Sequence, residues 1–178
     1  MTPDTAAHEE LERLLDEFSM GRLPSIGFMG RVKKLRDENP GLISAIPSLG
    51  IAVVAGFGRH TAGRDLMSLL LEIEGFEVRN TQVGERDSDV IAMCRDPDVS
   101  VLCLSAQSTE GANGILDIIR SIDGTETRKR IVFNAGGSPV SSMFAETAGC
   151  DVFSQSAVES ARMIRREVCS RRGLADLA

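Results

Sequence analysis

The chain has 178 residues, 42% of them hydrophobic and 26% charged, with a formal net charge of −6. That length supports one domain with its own core and a small appendage. The acidic balance argues against phosphate-backbone recognition, and no apolar run approaches the roughly 20 residues that a membrane span needs. Met1-Thr2-Pro3-Asp4 has neither the basic start nor the apolar centre of a signal peptide. The expectation is therefore a cytoplasmic chain with no membrane or nucleic-acid partner. Homo-oligomerisation is left open. The Arg-rich stretch near the C-terminus (Arg162, Arg165, Arg166, Arg171, Arg172) reads as a solvated helix face, where cations suit the helix dipole.

Leu11, Leu14, Leu15 and Phe18 recur at helical spacing, and Gly21 with Pro24 ends that segment. Met29, Val32 and Leu35 make a second stripe, stopped at Asn39-Pro40. Residues 1–48 therefore read as a helical appendage or cap, and 49–178 as the main domain. From Gly50 the pattern changes. Ile51 to Ala55 is a continuous apolar run, as expected of a strand covered on both faces. A helix with Leu66, Leu69, Leu70 and Ile73 on one face follows, closed by Gly75. Phe76 to Thr81, Val99 to Leu104, Arg130 to Ala135 and Asp151 to Phe153 read as four more strands, each followed by a helical segment. Strict alternation implies a parallel sheet with helices on both sides. Five strands favour a flavodoxin-like (Rossmann-like) α/β order, 2-1-3-4-5.

In such sheets ligands bind beyond the carboxyl ends of the strands, where strand order reverses. The loops after strands one, three and four are then the places for chemistry. They read Gly56-Phe57-Gly58-Arg59-His60-Thr61-Ala62-Gly63, then Ser105-Ala106-Gln107-Ser108-Thr109, then Asn134-Ala135-Gly136-Gly137-Ser138-Pro139. All are small and polar, so they admit a bulky group close to the backbone. His60 is one of two histidines, and His8 falls in the first helix. Read alone, His60 is a polar loop residue, Gly136-Gly137 a tight turn, Thr109 a loop threonine and Ser105 a cap for the next helix. Cys94, Cys103, Cys150 and Cys169 fit no zinc spacing, and Cys103 reads as a small core residue. A dinucleotide site would need a third glycine in register after Gly56 and Gly58 and an acid after strand two. A flavin usually wants large aromatic rings, and the chain has no Trp or Tyr. A phosphoacceptor domain would want an Asp where Ser105 stands.

Taken together, the three segments resemble B12-binding domains of corrinoid methyltransferase proteins and B12-dependent mutases. Those carry Asp-x-His-x-x-Gly, then Ser-x-Leu, then Gly-Gly, at similar separations. The resemblance covers roughly Gly50 to Arg166. It departs at Gly58, where the family has Asp, and at Gln107, where it has Leu. Gly136 to Val140, Phe144-Ala145, Gly149-Cys150-Asp151 and Ala157-Val158 look like the methyltransferase branch. The resemblance implies a cobalamin cofactor with His60 as lower axial cobalt ligand. It places the nucleotide tail in a slot between the Ser105 and Gly136-Gly137 loops, and it implies a methyltransferase partner. Gly58, Arg59, His60, Thr61, Ala62, Gly63, Ser105, Gln107, Thr109, Gly136, Gly137 and Ser138 are then the expected cofactor contacts. Alone, such a chain carries a corrinoid and is no enzyme. The small subunit of an adenosylcobalamin-dependent mutase, and a regulatory or storage module, are the alternatives. The missing Asp keeps the last of these open.

Overall fold

In the computed structural model, which describes residues 3–58, 60–82 and 86–177, the first helices form a unit of their own, Met1–Ala45. Helix α1 (Pro3–Ser19) buries Leu11, Leu14 and Leu15. Helix α2 (Ser25–Glu38) buries Phe28 and Val32, while Met29 and Leu35 are only half-buried. Phe18 stacks on Phe28 with ring centroids 4.6 Å apart, so the aromatic pair sets which face of α2 turns inward. At the end of α2 the Asn39 side chain donates to the Leu35 carbonyl at 2.8 Å, which stops the helix before Pro40.

The second unit, Ile46–Ala178, carries the sheet. It opens with a 3-10 turn at Pro47–Leu49, then runs β1 (Ile51–Phe57), α3 (Ala62–Ile73), β2 (Glu77–Asn80), α4 (Asp87–Cys94) and β3 (Val99–Ala106). There follow α5 (Thr109–Ile122), α6 (Glu126–Arg130), β4 (Val132–Gly136), α7 (Ser142–Thr147) and α8 (Ala157–Arg172). The strands pair in parallel in the order β2-β1-β3-β4. β1 and β3 are therefore neighbours whose following helices leave toward opposite faces.

The sheet has four strands among the described residues, where five were expected. Asp151 to Phe153 lies along the free edge of β4 but pairs through two side chains and the Phe133 carbonyl rather than through a ladder. The Asp151 carboxylate accepts the Phe133 N–H at 2.7 Å, taking the place of a strand carbonyl. The Asp151 N–H donates to the Phe133 carbonyl at 2.9 Å, and the Asn134 side chain donates to the Val152 carbonyl at 3.1 Å. The edge is satisfied without a regular ladder, which an exposed β4 would otherwise lack.

Strand residues alternate between two packed faces. Val53, Ala55, Leu102, Leu104, Phe133 and Ala135 pack with Ala112, Ile115, Ile118 and Ile122 of α5 and with Val90 and Cys94 of α4. On the other face β1, β3 and β4 present Val54, Cys103 and Asn134, which are in register, under α3 and α8. Helix α3 buries Leu70, Leu71 and Ser68, while Leu66 and Leu69 of the expected core stripe are half-buried. Leu66 turns to the cavity described below.

The C-terminal arginines keep much of the expected solvated face, with Arg166, Arg171 and Arg172 exposed, and several also tie elements together. Arg171 bonds Asp151 at 2.7 Å and the Ile131 carbonyl at 3.0 Å. Arg172 reaches the Ser48 carbonyl, Arg165 the Leu177 and Glu74 carbonyls, and Arg166 the Glu159 carboxylate.

Candidate functional site

At the carboxyl ends of β1, β3 and β4 lies a cavity of about 220 Å³. Two rows of strand residues form its floor. Val54, Cys103 and Asn134 are aligned across the sheet, and Ser105 pairs with Gly136 two residues nearer the strand ends. Gly63, Leu66 and Met67 of α3 close one side. Ser154, Gln155, Ala157 and Ser160, from the lead-in and first turn of α8, close the other. Among the described residues the lining carries no charged side chain. Burial pushes the Cys103 thiol well above its ordinary pKa, so it stays neutral. A small cavity with apolar walls and a few neutral polar groups suits an uncharged group. At about 220 Å³ it falls below the ~300–1,000 Å³ of whole-ligand sites, so it takes one part of a larger molecule.

Glycines make the opening. A methyl group at Gly137 would meet the Ala106 carbonyl oxygen at 1.8 Å, and φ there is +108°. At Gly63 it would meet the Ser105 hydroxyl at 2.7 Å. The second glycine of Gly136-Gly137 is thus required by the close approach of two strand ends, while Gly136 has open space above it. Ser105 is half-buried, and its hydroxyl has no hydrogen-bond partner among the described residues. It does not cap α5. That task falls to Ser108, which accepts the Gly111 N–H at 3.2 Å.

His60 is exposed on the loop leading into α3. Its backbone carbonyl accepts a hydrogen bond from the Gln107 amide at 3.3 Å, which ties the first loop to the second. Gly58 has φ +119°, a conformation that side chains rarely adopt, although nothing stands within 4 Å of an added Cβ. Gly63, Ser105, Gly136 and Gly137 thus converge on the cavity, and Gln107 converges on His60. Gly58, Thr61, Ala62, Thr109 and Ser138 do not line the cavity but flank its mouth in sequence. Arg59 lies outside the described residues. Ser154, Gln155 and Ser160 were not read from the sequence, and Asn134 was read only as the start of the loop after strand four. Asn134 had a signal, a polar residue inside the apolar run Val132 to Ala135. The other three sit in a segment without one. Among the described residues no group of three or more His, Cys, Asp or Glu converges that could hold a metal ion.

Residues 47–163 match the B12 binding domain family. The chain belongs to that family. The B12-binding domain holds a cobalamin, and the glycine-lined opening, the neutral cavity and the neighbouring histidine fit a corrinoid with a separable nucleotide tail. The chain is similar to dimethylamine corrinoid protein 3 of Methanosarcina acetivorans, 27% identical over 101 residues, which is 57% of this chain and 47% of that protein. It also resembles trimethylamine corrinoid protein 2 of the same organism, 22% identical over 62% of this chain and 51% of that one. The chain spans about half the length of such curated relatives. A solved cobalamin-binding protein from Desulfitobacterium hafniense shares the fold, with a TM-score of 0.71 and 18% identity over 95% of this chain and 80% of that one. So does the methanol:cobalamin methyltransferase complex of Methanosarcina barkeri, with a TM-score of 0.67 and 13% identity over 98% of this chain and 71% of the matched one. No helix among the described residues is long and apolar enough to cross a membrane.

Proposed function

We propose that this chain is the methyl-carrying corrinoid subunit of a methyltransferase system, with His60 as the lower axial ligand and the nucleotide tail in the cavity under α3 and α8. The single observation that carries this reading is the juxtaposition of the Gly63, Ser105 and Gly137 cavity with an exposed histidine tied to the next loop through Gln107. Likeness to methylamine corrinoid proteins favours a methyltransferase partner over a mutase barrel.

A bound corrinoid supplies the cobalt that accepts and gives up a methyl group, and that chemistry belongs to the cofactor. The chain's part is to hold and orient. His60 is exposed and offers an imidazole nitrogen, a suitable donor for such a metal. Gln107 holds the His60 backbone where the family's Asp would hold the ring, so it is a positioning residue. Ser105 and the two close-approach glycines receive the tail.

The test is a set of visible spectra of the purified chain with hydroxo-, methyl- and adenosylcobalamin, followed by gel filtration. About one corrinoid per chain should be retained. In the cobalt(II) state the paramagnetic spectrum should show coupling to a protein nitrogen, and His60→Ala should remove that coupling while leaving binding through the tail. Pull-down should recover a methyltransferase. Recovery of a mutase large subunit with isomerase activity on mixing would reverse the assignment of partner.

A further inference from the structure

Asn134 sits at the inner end of the cavity and has no task in the reading above. The residue is 2% exposed. Its Nδ2 donates to the Val152 carbonyl at 3.1 Å. Because that carbonyl only accepts, the amide orientation is set, with nitrogen toward Val152 and oxygen away from it. The oxygen accepts no hydrogen bond among the described residues. Yet no side-chain nitrogen or oxygen among them is both sealed off and unpartnered. Oδ1 therefore opens on the cavity that Asn134 lines.

Depth follows from strand register. Asn134 aligns with Cys103 and Val54, while Ser105 and Gly136 stand two residues nearer the strand ends. Two residues along a parallel strand are about 6.6 Å, a span suited to a two-ring heteroaromatic. A base entering past Ser105 brings its outer edge to Asn134. A methyl group on that edge leaves Oδ1 dry and unpaired, which is costly for a buried acceptor, whereas an O–H or N–H donor satisfies it.

We infer that Asn134 selects the lower base of the cofactor: this chain prefers cobamides whose base carries a hydrogen-bond donor on its outer edge. The inference rests on the tail occupying the cavity. The acceptor is single and uncharged, so the preference is modest, about three- to tenfold in affinity.

The full chain is titrated with hydroxybenzimidazolyl, methoxybenzimidazolyl and dimethylbenzimidazolyl cobamides and with cobinamide, which has no base, and affinities are read by spectral change and calorimetry. The hydroxy form should bind about three- to tenfold more tightly than the methoxy and dimethyl forms. Asn134→Leu should bring the three cobamides to equal affinity. Methoxy binding equal to hydroxy, a preference for the dimethyl base, or a preference that survives in Asn134→Leu overturns the inference. In those cases cobamides that still outbind cobinamide leave the tail-in-cavity reading standing. Cobinamide binding as tightly as every cobamide overturns both. The wild-type series decides the matter by itself if Asn134→Leu does not fold.

Discussion

A methyl group at Gly137 would stand 1.8 Å from the Ala106 carbonyl oxygen, and backbone atoms of a central strand cannot step aside. Gly137→Ala should therefore lower the melting temperature and abolish corrinoid retention on gel filtration. Gly58 is the opposite case. Space is available but φ is +119°, so restoring the family's Asp there carries backbone strain of about 1–3 kcal/mol. Gly58→Asp should fold less stably in chemical denaturation rather than simply bind cofactor more tightly. The His60 loop is instead tied by the hydrogen bond from the Gln107 amide to the His60 carbonyl. Gln107→Leu restores the family residue but loses that tie. It should reduce the fraction of chains showing nitrogen coupling in the cobalt(II) spectrum, an effect of about 0.5–1.5 kcal/mol in the ligation equilibrium. Retention of the cofactor should be little changed.

The edge of β4 depends on one carboxylate. Asp151 accepts the Phe133 N–H and pairs with Arg128 at 2.9 Å and Arg171 at 2.7 Å. Burial pushes its pKa up, but the Phe133 N–H, Arg171 and Arg128 outweigh burial and hold it below the ordinary carboxylate value. A depressed folded-state pKa contributes stability that is present above the unfolded value, about 3.9, and is lost as pH falls through the folded value. Asp151→Asn should cost about 1.5–3 kcal/mol near neutral pH. The gap between variant and wild type should shrink in denaturation curves taken below about pH 4. A gap that stayed constant down to acid would show that the carboxylate's charge is not what closes this edge. Burial of Cys94 and Cys150, each pushed up to about 11, leaves both thiols protonated and slow to react.

The boundary between the units can be tested by truncation. Ile46 belongs to the sheet unit. Its N–H donates to the Gly75 carbonyl at 2.7 Å, and Leu49 is fully buried. A chain beginning at Ile46 should fold cooperatively and keep the cobalamin site, because the sheet and both helical layers lie within it. A chain beginning at Gly50 should lose about 2–5 kcal/mol through the missing Leu49 side chain, with a correspondingly lower melting temperature. Failure of the Ile46 chain to fold would mean that residues before 46 complete its core.

The alternation of apolar runs and helical stripes was enough to specify a parallel α/β sheet. Three short segments, around His60, Ser105 and Gly136-Gly137, carried the resemblance to B12-binding domains, and the hydrophobic period that frames them is a local property of a chain. Other features depend on partners distant in sequence. Asp151 to Phe153 reads as a strand, yet its pairing with β4 runs through a carboxylate and an amide that meet Phe133 and Val152 only after folding. Asn134 reads as the start of a small polar loop. It becomes an open acceptor only because Val152 takes its nitrogen and α3 and α8 leave a cavity over it. Gln107 reads as a departure from the family pattern. It gains a purpose only when strand order brings the loop after β3 beside the loop after β1. Directional hydrogen bonds between distant residues are set by tertiary geometry, and no local pattern encodes them.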